Sequence, residues 1–337
     1  MSGLRILSAG PGLTVQDLGR TGTMGFGLSP GGAADRIAFI EGCALLGQDL
    51  DAAALEMAGY GGSFQAESPL RFALTGAPMA ATIDGQPIPW NASHTLEAGQ
   101  ILSIGGATAG IYGYLHLGGG IDAPSFLGSR ATHLAAGIGQ PLRQGAQIAT
   151  GPDLDPDNTG QKLPVSPRWT GGTVRVLPSV QTHLFDPDTI ARFGATPFTR
   201  TPRGNRQGAE LTGQDAPFAS GGQLTILSES MVSGDIQMTG EGVPFVLLPE
   251  CQTTGGYPRI GTILPDDLPL VAQAGRGATL RFKFISHAEG LKAHMTPAQR
   301  LKATQKQLEP LLRDPADIRD LLRYQLISGA ITGNETQ

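Results

Sequence analysis

The sequence predicts a mainly β protein with two β-rich subdomains, one helix near the N-terminus and a helical C-terminal tail. The 337 residues include 49 glycines and 25 prolines, spread along the chain without a repeat period. This composition is typical of many short strands joined by tight turns. Short apolar stretches that stop at Gly or Asp recur through the first half. Apolar residues at helical spacing are clear near residue 40 and after residue 296.

Composition and charge argue against several classes of protein. The formal net charge of −5 gives no reason to expect a nucleic acid or an anionic membrane surface as partner. No apolar run approaches the roughly 20 residues of a membrane helix, and the first residues lack the apolar core of a signal peptide. The two cysteines, Cys43 and Cys251, and the six histidines lack metal-ligand spacing. We therefore expect a cytoplasmic protein with free thiols and no metal.

The first subdomain is assigned to residues 1–165. Its first 30 residues are expected to form strand and loop. Residues 33–48 are expected to form a helix, because Ile37, Ile40, Cys43 and Leu46 fall near one side at helical spacing. Five short strands are predicted after it: ALEMAG (54–59), LRFALTG (70–76), MAATIDG (79–85), QILSIGG (100–106) and IYGYLHLGG (111–119).

A polar, Pro- and Gly-rich stretch at 151–172 predicts the boundary between the two subdomains. The second subdomain is assigned to residues 170–290, and its first predicted strand is VRVLPS (174–179). Strands entered through Gly recur in both halves, at 98–104, 144–150, 221–227 and 276–284. The tail is assigned to residues 291–337. Within 296–325 we expect two short helices, with Thr296 as N-cap and Pro310 and Pro315 dividing them.

The stretch Gly27-Leu28-Ser29-Pro30-Gly31 matches the G-x-S-x-G pattern of a hydrolase nucleophile elbow. In such an elbow, the N–H after the serine helps to form the oxyanion hole, and Pro30 has no N–H. We therefore interpret the stretch as a loop whose backbone approaches a ligand or a partner. His116 lies in an apolar strand and is expected to be a buried histidine with its hydrogen bonds satisfied.

Two further stretches carry groups that could bind a ligand. GSRATH (128–133) places Arg130 in a loop of small residues, where its guanidinium could bind a carboxylate or simply cap a surface turn. CQTTGGYPRI (251–260) groups hydrogen-bonding side chains around Gly-Gly after an apolar strand. A polar ligand pocket and a surface β-hairpin that carries polar side chains explain that second stretch equally well.

Longer motifs connect these pieces to a known family. In order along the chain they are PGLTVQDLGR (11–20), LSPGGAAD (28–35), LTGA (74–77), IDGQPIP (83–89), YLHLGGGIDAPSFLGSR (114–130), SGDIQ (233–237) and QTTGGYPRI (252–260). Over about residues 5–287 the chain resembles the biotin-dependent carboxyltransferase family called allophanate hydrolase subunit 2. That family includes the C-type subunit of 5-oxoprolinase and the A–B half of the carboxyltransferase domain of urea carboxylase.

The resemblance implies a cyclophilin-like β-barrel architecture and a subunit-1 type partner, with ATP used by the partner subunit. It also implies carboxybiotin on a partner carrier as a cofactor the complex could use, with a biotin carboxylase and a biotin carrier as further partners. It assigns no catalytic residue. The implied substrate- or biotin-binding residues are Ser29, Gly31, Gly32, Asp35, Arg130, Gln252, Thr253, Thr254, Tyr257 and Arg259.

The implied function is a carboxyltransferase-type subunit of an ATP-dependent complex that acts on a small amide or lactam, of the 5-oxoproline or urea type. The alternative is a non-catalytic binder that sequesters a histidine-kinase inhibitor resembling subunit 1. Departures from the family pattern favour that alternative more than in a typical member. They lie at Cys43, Glu210, Cys251 and the shortened glycine-rich loop at 135–139, and Gln48 is a further departure from the pattern.

Overall fold

A computed structural model describes residues 3–214, 217–218 and 227–312. The strands in chain order are β1 Gly3–Ala9, β2 Thr14–Gln16, β3 Ala54–Ala58, β4 Tyr60–Ala66, β5 Leu70–Gly76, β6 Met79–Ile83, β7 Gln86–Pro87, β8 Ala92–Leu96, β9 Ile101–Ala107, β10 Tyr112–Leu117, β11 Gln147–Ala149, β12 Gln161–Lys162, β13 Gly171–Leu177, β14 Thr199–Gly204, β15 Gly208–Thr212, β16 Glu229–Ser230, β17 Asp235–Met238, β18 Pro244–Leu247, β19 Thr254–Gly255, β20 Arg259–Ile263, β21 Thr279–Phe284 and β22 Glu309–Pro310. The α-helices are α1 Arg36–Leu45, α2 Pro187–Ala195, α3 Leu268–Gln273, α4 His287–Ala293 and α5 Pro297–Gln305. The mainly β class predicted from the sequence is confirmed.

Three sheets contain nearly all of these strands. Sheet 1 has the order β11-β1-β4-β9-β6-β7, and sheet 2 has the order β2-β3-β10-β5-β8-β12-β22. Sheet 3, with the order β14-β15-β18-β17-β20-β13-β21, takes all its strands from residues 171–284. Its β13–β21 pair is parallel, whereas its other pairs are antiparallel. The division into subdomains at residues 165 and 290 stays a prediction.

Strand β10 shows how the cores are arranged, because its alternate residues enter different cores. Leu115 and Leu117 join an apolar core that sheets 1 and 2 share. Tyr112 and Tyr114 join a second core, which combines helix α1 with sheet 3 and the phenylalanines of α2 and its neighbours. Both faces of β10 are therefore buried, and α1 lies between the two halves of the chain.

Helix α1 is shorter than the predicted 33–48. Asp35 is its N-cap, with the carboxylate accepting the N–H of Ala38 at 2.9 Å. Residues 33 and 34 stay outside the helix because the backbone of Asp35 is extended, with φ −110° and ψ 90°. Their N–H groups donate to the Asp17 carbonyl and to the Glu56 carboxylate, each at 2.8 Å. The helix ends before Gly47, which adopts the left-handed conformation with φ +61°.

The predicted strands of the first half are present, and the differences lie in the linker and the tail. The stretch 151–172 contains β12, which pairs with β8 and with β22 of the tail. The predicted tail helix from Pro297 is α5, which packs against α1 and ends at Gln305. The chain then extends to pair at Glu309–Pro310, so the C-terminal segment reaches from sheet 3 back to sheet 2. The second tail helix and most of the strand at 221–227 lie outside the described residues.

Among the helices of the described residues, none combines the length and the apolar character that crossing a membrane demands.

Candidate functional site

The candidate site centres on the loop of residues 17–35, which both halves of the chain hold in place. The Arg20 N–H donates to the Pro30 carbonyl at 2.8 Å, and the Gly31 N–H donates to the Pro249 carbonyl of the second half at 3.0 Å. Gly32 has φ +84°, and a Cβ there would lie 2.6 Å from the Gly19 nitrogen. Two passes of the loop therefore pack backbone against backbone, which a side chain at Gly32 would prevent.

Ser29 lies at the centre of this loop and is buried. Its Oγ is 2.9 Å from Nε2 of His133, and Nδ1 of His133 is 3.9 Å from the Glu250 carboxylate. Nδ1 also accepts the Ala136 N–H at 3.2 Å, which favours the tautomer with the ring proton on Nε2, facing Ser29. In a serine hydrolase, Nε2 must instead accept the serine proton. In the tautomer that the Ala136 contact favours, His133 is a donor to Ser29 and not its base, and the interpretation that Ser29 is not a nucleophile stays a prediction.

Burial is the main cause that lowers the pKa of His133, while the nearby Glu250 carboxylate acts in the opposite direction. His133 is therefore held neutral, in the tautomer fixed by its contacts with Ala136 and Ser29.

Arg206 connects this group to the first half of the chain. Its guanidinium donates to the carboxylates of Glu250, at 2.5 Å, and Glu56, and to the Gly32 carbonyl at 2.5 Å. Burial opposes the charge of Arg206, but the two carboxylates outweigh it and raise its pKa. Glu56 is fully buried and also accepts the hydroxyl of Tyr114 at 2.7 Å. A buried ionic network thus joins β3 and β10 of the first half to the second half.

A second ionic group lies at the start of α1. The Asp35 carboxylate, fully buried, accepts Nε of Arg168 at 3.0 Å and Nε2 of Gln273 at 3.0 Å. Arg168 also makes a bidentate pair with Glu41, at 2.8 and 2.7 Å. Burial raises the pKa of Glu41 more than Arg168 lowers it. Asp35 therefore caps a helix and joins the two halves, with no face left for a ligand.

Arg20 is 1% exposed and has one guanidinium nitrogen, Nη1, without a hydrogen-bond partner among the described residues. Its other groups donate to backbone carbonyls: Nε to Phe126 at 3.2 Å and Nη2 to Ala131 at 2.5 Å. Burial is the main cause that lowers its pKa, partly offset by Asp17 and Glu250. Arg20 thus holds the loop at 126–131 against the loop at 29–32.

A cleft of about 1320 Å³ opens between the two halves beside this network. Its walls are rich in glycine, and its charged lining residues are Arg200, Arg206, Glu250 and Arg276. Since Arg206 pairs with Glu250, the described lining carries an excess of positive charge although the whole chain is negative. Arg200 is anchored by donating to the Ala272 carbonyl at 2.6 Å, and Arg276 is exposed. Such a cleft favours an anionic ligand.

The predicted site residues fall in three places. Ser29, Gly31 and Gly32 lie next to the loop at 249–254, with Thr253 Oγ1 3.9 Å from the Cβ position of Gly27. In that second loop Gln252 donates to Gln237 at 2.9 Å, while Thr254 and Tyr257 are exposed. These predicted residues form one neighbourhood, and buried Asp35 lies behind it.

Arg130 and Arg259 lie elsewhere. Arg130 donates to the Ala123 carbonyl at 3.1 Å and lines a separate cavity of about 270 Å³, together with Asp49 and Asp122. Arg259 is buried in sheet 3, where it pairs with Asp235 at 3.1 Å and with Glu229 at 2.8 Å. The guanidinium of Arg259 is thus already engaged by carboxylates of the second half.

Most of the residues that depart from the family pattern have contacts away from the loop of Ser29. Glu210 contacts Arg203 at 3.4 Å on the neighbouring strand. Burial raises the pKa of Cys251 to about 12, and it raises that of Cys43 still further, so both thiols pack as small apolar groups. Gln48 lines the cavity beside Arg130. In the shortened loop, the Ala135 N–H donates to Glu250 at 3.1 Å, so this change touches the site directly.

Sequence reasoning missed the ionic network itself. Glu56, Tyr114, Arg168, Arg206 and Glu250 were given no role. The partners are far apart in the chain: 150 positions separate Arg206 from Glu56, and 104 separate His133 from Ser29. Polar residues inside otherwise apolar strands, such as Glu56 in ALEMA, were the available signal.

Comparison with known proteins places the chain in a family. Residues 26–284 match the family model described as "Carboxyltransferase domain, subdomain A and B". The C-type subunit of 5-oxoprolinase from Escherichia coli is 34% identical over 294 residues, which cover 86% of this chain and 94% of that protein.

Solved structures agree with this result. The crystal structure of TTHA0988 superposes with a TM-score of 0.76 at 31% identity, covering 84% of this chain and 56% of that one. The K. lactis urea amidolyase gives a TM-score of 0.80 at 21% identity and covers 93% of this chain, which supports the fold alone. The chain spans about half of TTHA0988 and 21% of the amidolyase. The fold, the sequence identity and the match over residues 26–284 together show that this chain belongs to the carboxyltransferase family of subdomains A and B.

Proposed function

We propose that this chain is a carboxyltransferase-type subunit of a multi-subunit, ATP-dependent complex that acts on a small amide or lactam, of the 5-oxoproline or urea type. It works with a subunit-1 type partner, and ATP is used by the partner subunit. The names of its relatives support a role within a larger enzyme: one is a subunit of 5-oxoprolinase, and another is a urea amidolyase.

The observation that carries the proposal is the cleft between the two halves. Its volume of about 1320 Å³ exceeds the roughly 300–1,000 Å³ of an ordinary small-molecule pocket. It can therefore admit a small amide together with a second group presented by a partner. Arg200 and Arg276 would attract the anionic part of either molecule, while Arg206 stays engaged with Glu56 and Glu250.

A carboxylated biotin on a partner carrier fits this cleft by charge and by size. Such a group, when bound, supplies the carboxyl group for transfer to an amide nitrogen. Arg200 and Arg276 would hold its carboxylate, and the glycine-rich walls would allow its ring to approach the backbone. A complex that opens a lactam without biotin would use the same cations to hold the substrate carboxylate.

The test is reconstitution of this chain with its subunit-1 type partner. Turnover of 5-oxoproline and of urea is measured with ATP, with and without a biotinylated carrier. The variant Arg276→Gln should lower kcat/KM by about tenfold or more, since a charge-assisted hydrogen bond contributes roughly 1.5–3 kcal/mol. Arg281→Gln is the matched control, because Arg281 is an exposed arginine of the nearby strand β21 that does not line the cleft.

The two outcomes separate the two candidate functions. Turnover that falls with Arg276→Gln and not with Arg281→Gln supports the enzyme and locates its substrate. A stable complex that turns over neither substrate contradicts the proposal and favours the regulatory binder.

A further inference from the structure

The cavity of about 270 Å³ beside Arg130 lies within the first half of the chain. Three loops form most of its wall: 47–53 after α1, 119–122 after β10, and 151–155. Among the described residues, it shares no lining residue with the cleft between the two halves. Its volume is below the roughly 300–1,000 Å³ of a pocket for a drug-sized molecule, so it suits a smaller ligand.

Backbone contacts hold two of these loops together. Gly119 has φ +80°, and a Cβ on Gly151 would lie 2.6 Å from the Gly119 carbonyl oxygen, so the two strands of backbone approach without side chains between them. The Gly151 N–H donates to the Gly120 carbonyl at 3.1 Å. Next to them Arg71, which is buried, binds the Asp153 carboxylate in bidentate fashion at 2.7 and 2.6 Å. The cavity therefore has a close-packed wall on this side.

Arg130 brings to the cavity a positive charge that forms no ion pair among the described residues. Its backbone N–H donates to the Asp17 carboxylate at 2.6 Å, and its Nε donates to the Ala123 carbonyl at 3.1 Å. These two bonds hold the residue at both ends of its side chain. Within the described structure its Nη1 and Nη2 donate to no other group, and a free guanidinium edge can bind a carboxylate through two parallel hydrogen bonds.

Carboxylates on the same lining would attract a positive charge. Five aspartates and two arginines line the cavity, so the lining is negative overall and repels a simple anion. Arg71 neutralises Asp153, whereas four exposed aspartates form no ion pair among the described residues: Asp49, Asp51, Asp122 and Asp155. In the described part of the chain, no three such groups are placed together as ligands for a metal ion. The group that fits these carboxylates is therefore an organic ammonium.

Gln48 lines the cavity with a third kind of group. Its backbone N–H donates to the Cys43 carbonyl at 3.0 Å, which fixes the residue just beyond the end of α1. Its amide oxygen and nitrogen are both buried, and neither has a hydrogen-bond partner in the described structure. An unpaired buried polar group destabilises a chain, so such an amide beside a cavity indicates a partner that enters the cavity. A donor and an acceptor side by side match a second carboxamide.

We propose that this cavity binds a small α-amino acid whose side chain ends in a carboxamide. Arg130 binds its carboxylate, the unpaired aspartates hold its ammonium group, and Gln48 pairs with its carboxamide. The site is separate from the cleft, so the inference does not depend on the proposed function.

Titration calorimetry of the full-length chain with L-glutamine tests the inference. Three analogues each lack one recognised group: glutaramate lacks the ammonium, 4-aminobutyramide lacks the carboxylate, and L-norvaline lacks the carboxamide. L-Glutamine should bind about tenfold or more tightly than each of them, because a missing group leaves its partner in the cavity unpaired.

Three variants locate the binding. Arg130→Gln should raise the Kd of L-glutamine by about tenfold or more, because a charge-assisted pair of hydrogen bonds is lost. Arg143→Gln is the matched control, since Arg143 is an exposed arginine of the first half that does not line the cavity. Gln48→Met keeps a side chain of similar length without the amide, so it should weaken binding of L-glutamine and leave that of L-norvaline unchanged. Thermal unfolding of each variant establishes that it remains folded.

Tighter binding of L-glutamine than of its analogues, lost in Arg130→Gln and kept in Arg143→Gln, supports the inference. A wild-type chain that does not bind L-glutamine overturns it, and this result needs no variant. Glutaramate or 4-aminobutyramide that binds as tightly as L-glutamine also overturns it, because one of the two charges is then not recognised. None of these results decides the proposed function, which is tested by turnover at the cleft.

Discussion

Replacement of Arg206 by Met removes the only guanidinium that the described structure places between the carboxylates of Glu56 and Glu250. Both carboxylates are at most 2% exposed, so neither can regain its lost interaction from solvent. Removing one partner of a buried ion pair costs about 3–5 kcal/mol of unfolding free energy. Since Arg206 serves two carboxylates and the Gly32 carbonyl, we expect Arg206→Met to reach the upper end, about 5 kcal/mol.

The measurement is unfolding in guanidinium chloride at pH 7, followed by far-ultraviolet circular dichroism. Arg203→Met is the matched control, because the Arg203 side chain is 83% exposed and contacts Glu210 at 3.4 Å. An exposed pair of this kind contributes at most about 1 kcal/mol. Arg206→Lys keeps the charge without the forked geometry and should fall between the two. If Arg206→Met and Arg203→Met agree to within about 1 kcal/mol, the network does not hold the halves together and the reasoning is refuted.

Three further predictions concern His116, Gly42 and Ser29. Burial lowers the pKa of His116 in the folded chain to about 3, against about 6.5 in the unfolded chain. As the pH falls from 6.5 toward 3, only the unfolded chain binds a proton at this histidine, so the free energy of unfolding falls over that range. Between pH 7 and pH 5, His116→Leu should therefore gain about 2 kcal/mol of unfolding free energy relative to wild type, and an unchanged difference would contradict this. Gly42→Ala would place its Cβ in collision with the His116 ring, so its melting temperature should fall, and His116→Ala should restore much of the loss in the double variant. Ser29→Ala should leave turnover of the reconstituted complex within about threefold of wild type, whereas a covalent nucleophile would lose about a thousandfold or more.

The sequence predicted the strands well because their signals are local. A strand such as β5 is an apolar run that stops at Gly76, and both features lie within seven residues. The start of α1 was predicted too early, because the helix begins only after Asp35, whose extended backbone starts the helix and whose carboxylate is held by Arg168 and Gln273, far away in the chain. Strand β12 was missed for the same reason, since its two residues are ordered by β8 and by β22 of the tail.

The candidate site was less accessible to sequence reasoning. Arg130, Arg206 and Arg259 look alike in a sequence, yet one lines a small cavity, one joins the two halves and one is paired within the second half. Only the fold determines which carboxylates meet each guanidinium. His116 illustrates the same limit: its burial was predicted correctly, but the expectation that its hydrogen bonds are satisfied was wrong, because both ring nitrogens lack a partner in the described structure.

The return of the chain from sheet 3 to sheet 2 has a consequence for biosynthesis. Strand β22 is the outer strand of a sheet whose other members all precede residue 163. On the ribosome, the edge of β12 therefore stays uncovered until residues 309–310 have been made, long after the rest of that sheet has emerged. An uncovered strand edge can pair with other chains. Until that point the β12 edge is open to pairing with other chains, and the return of β22 covers it.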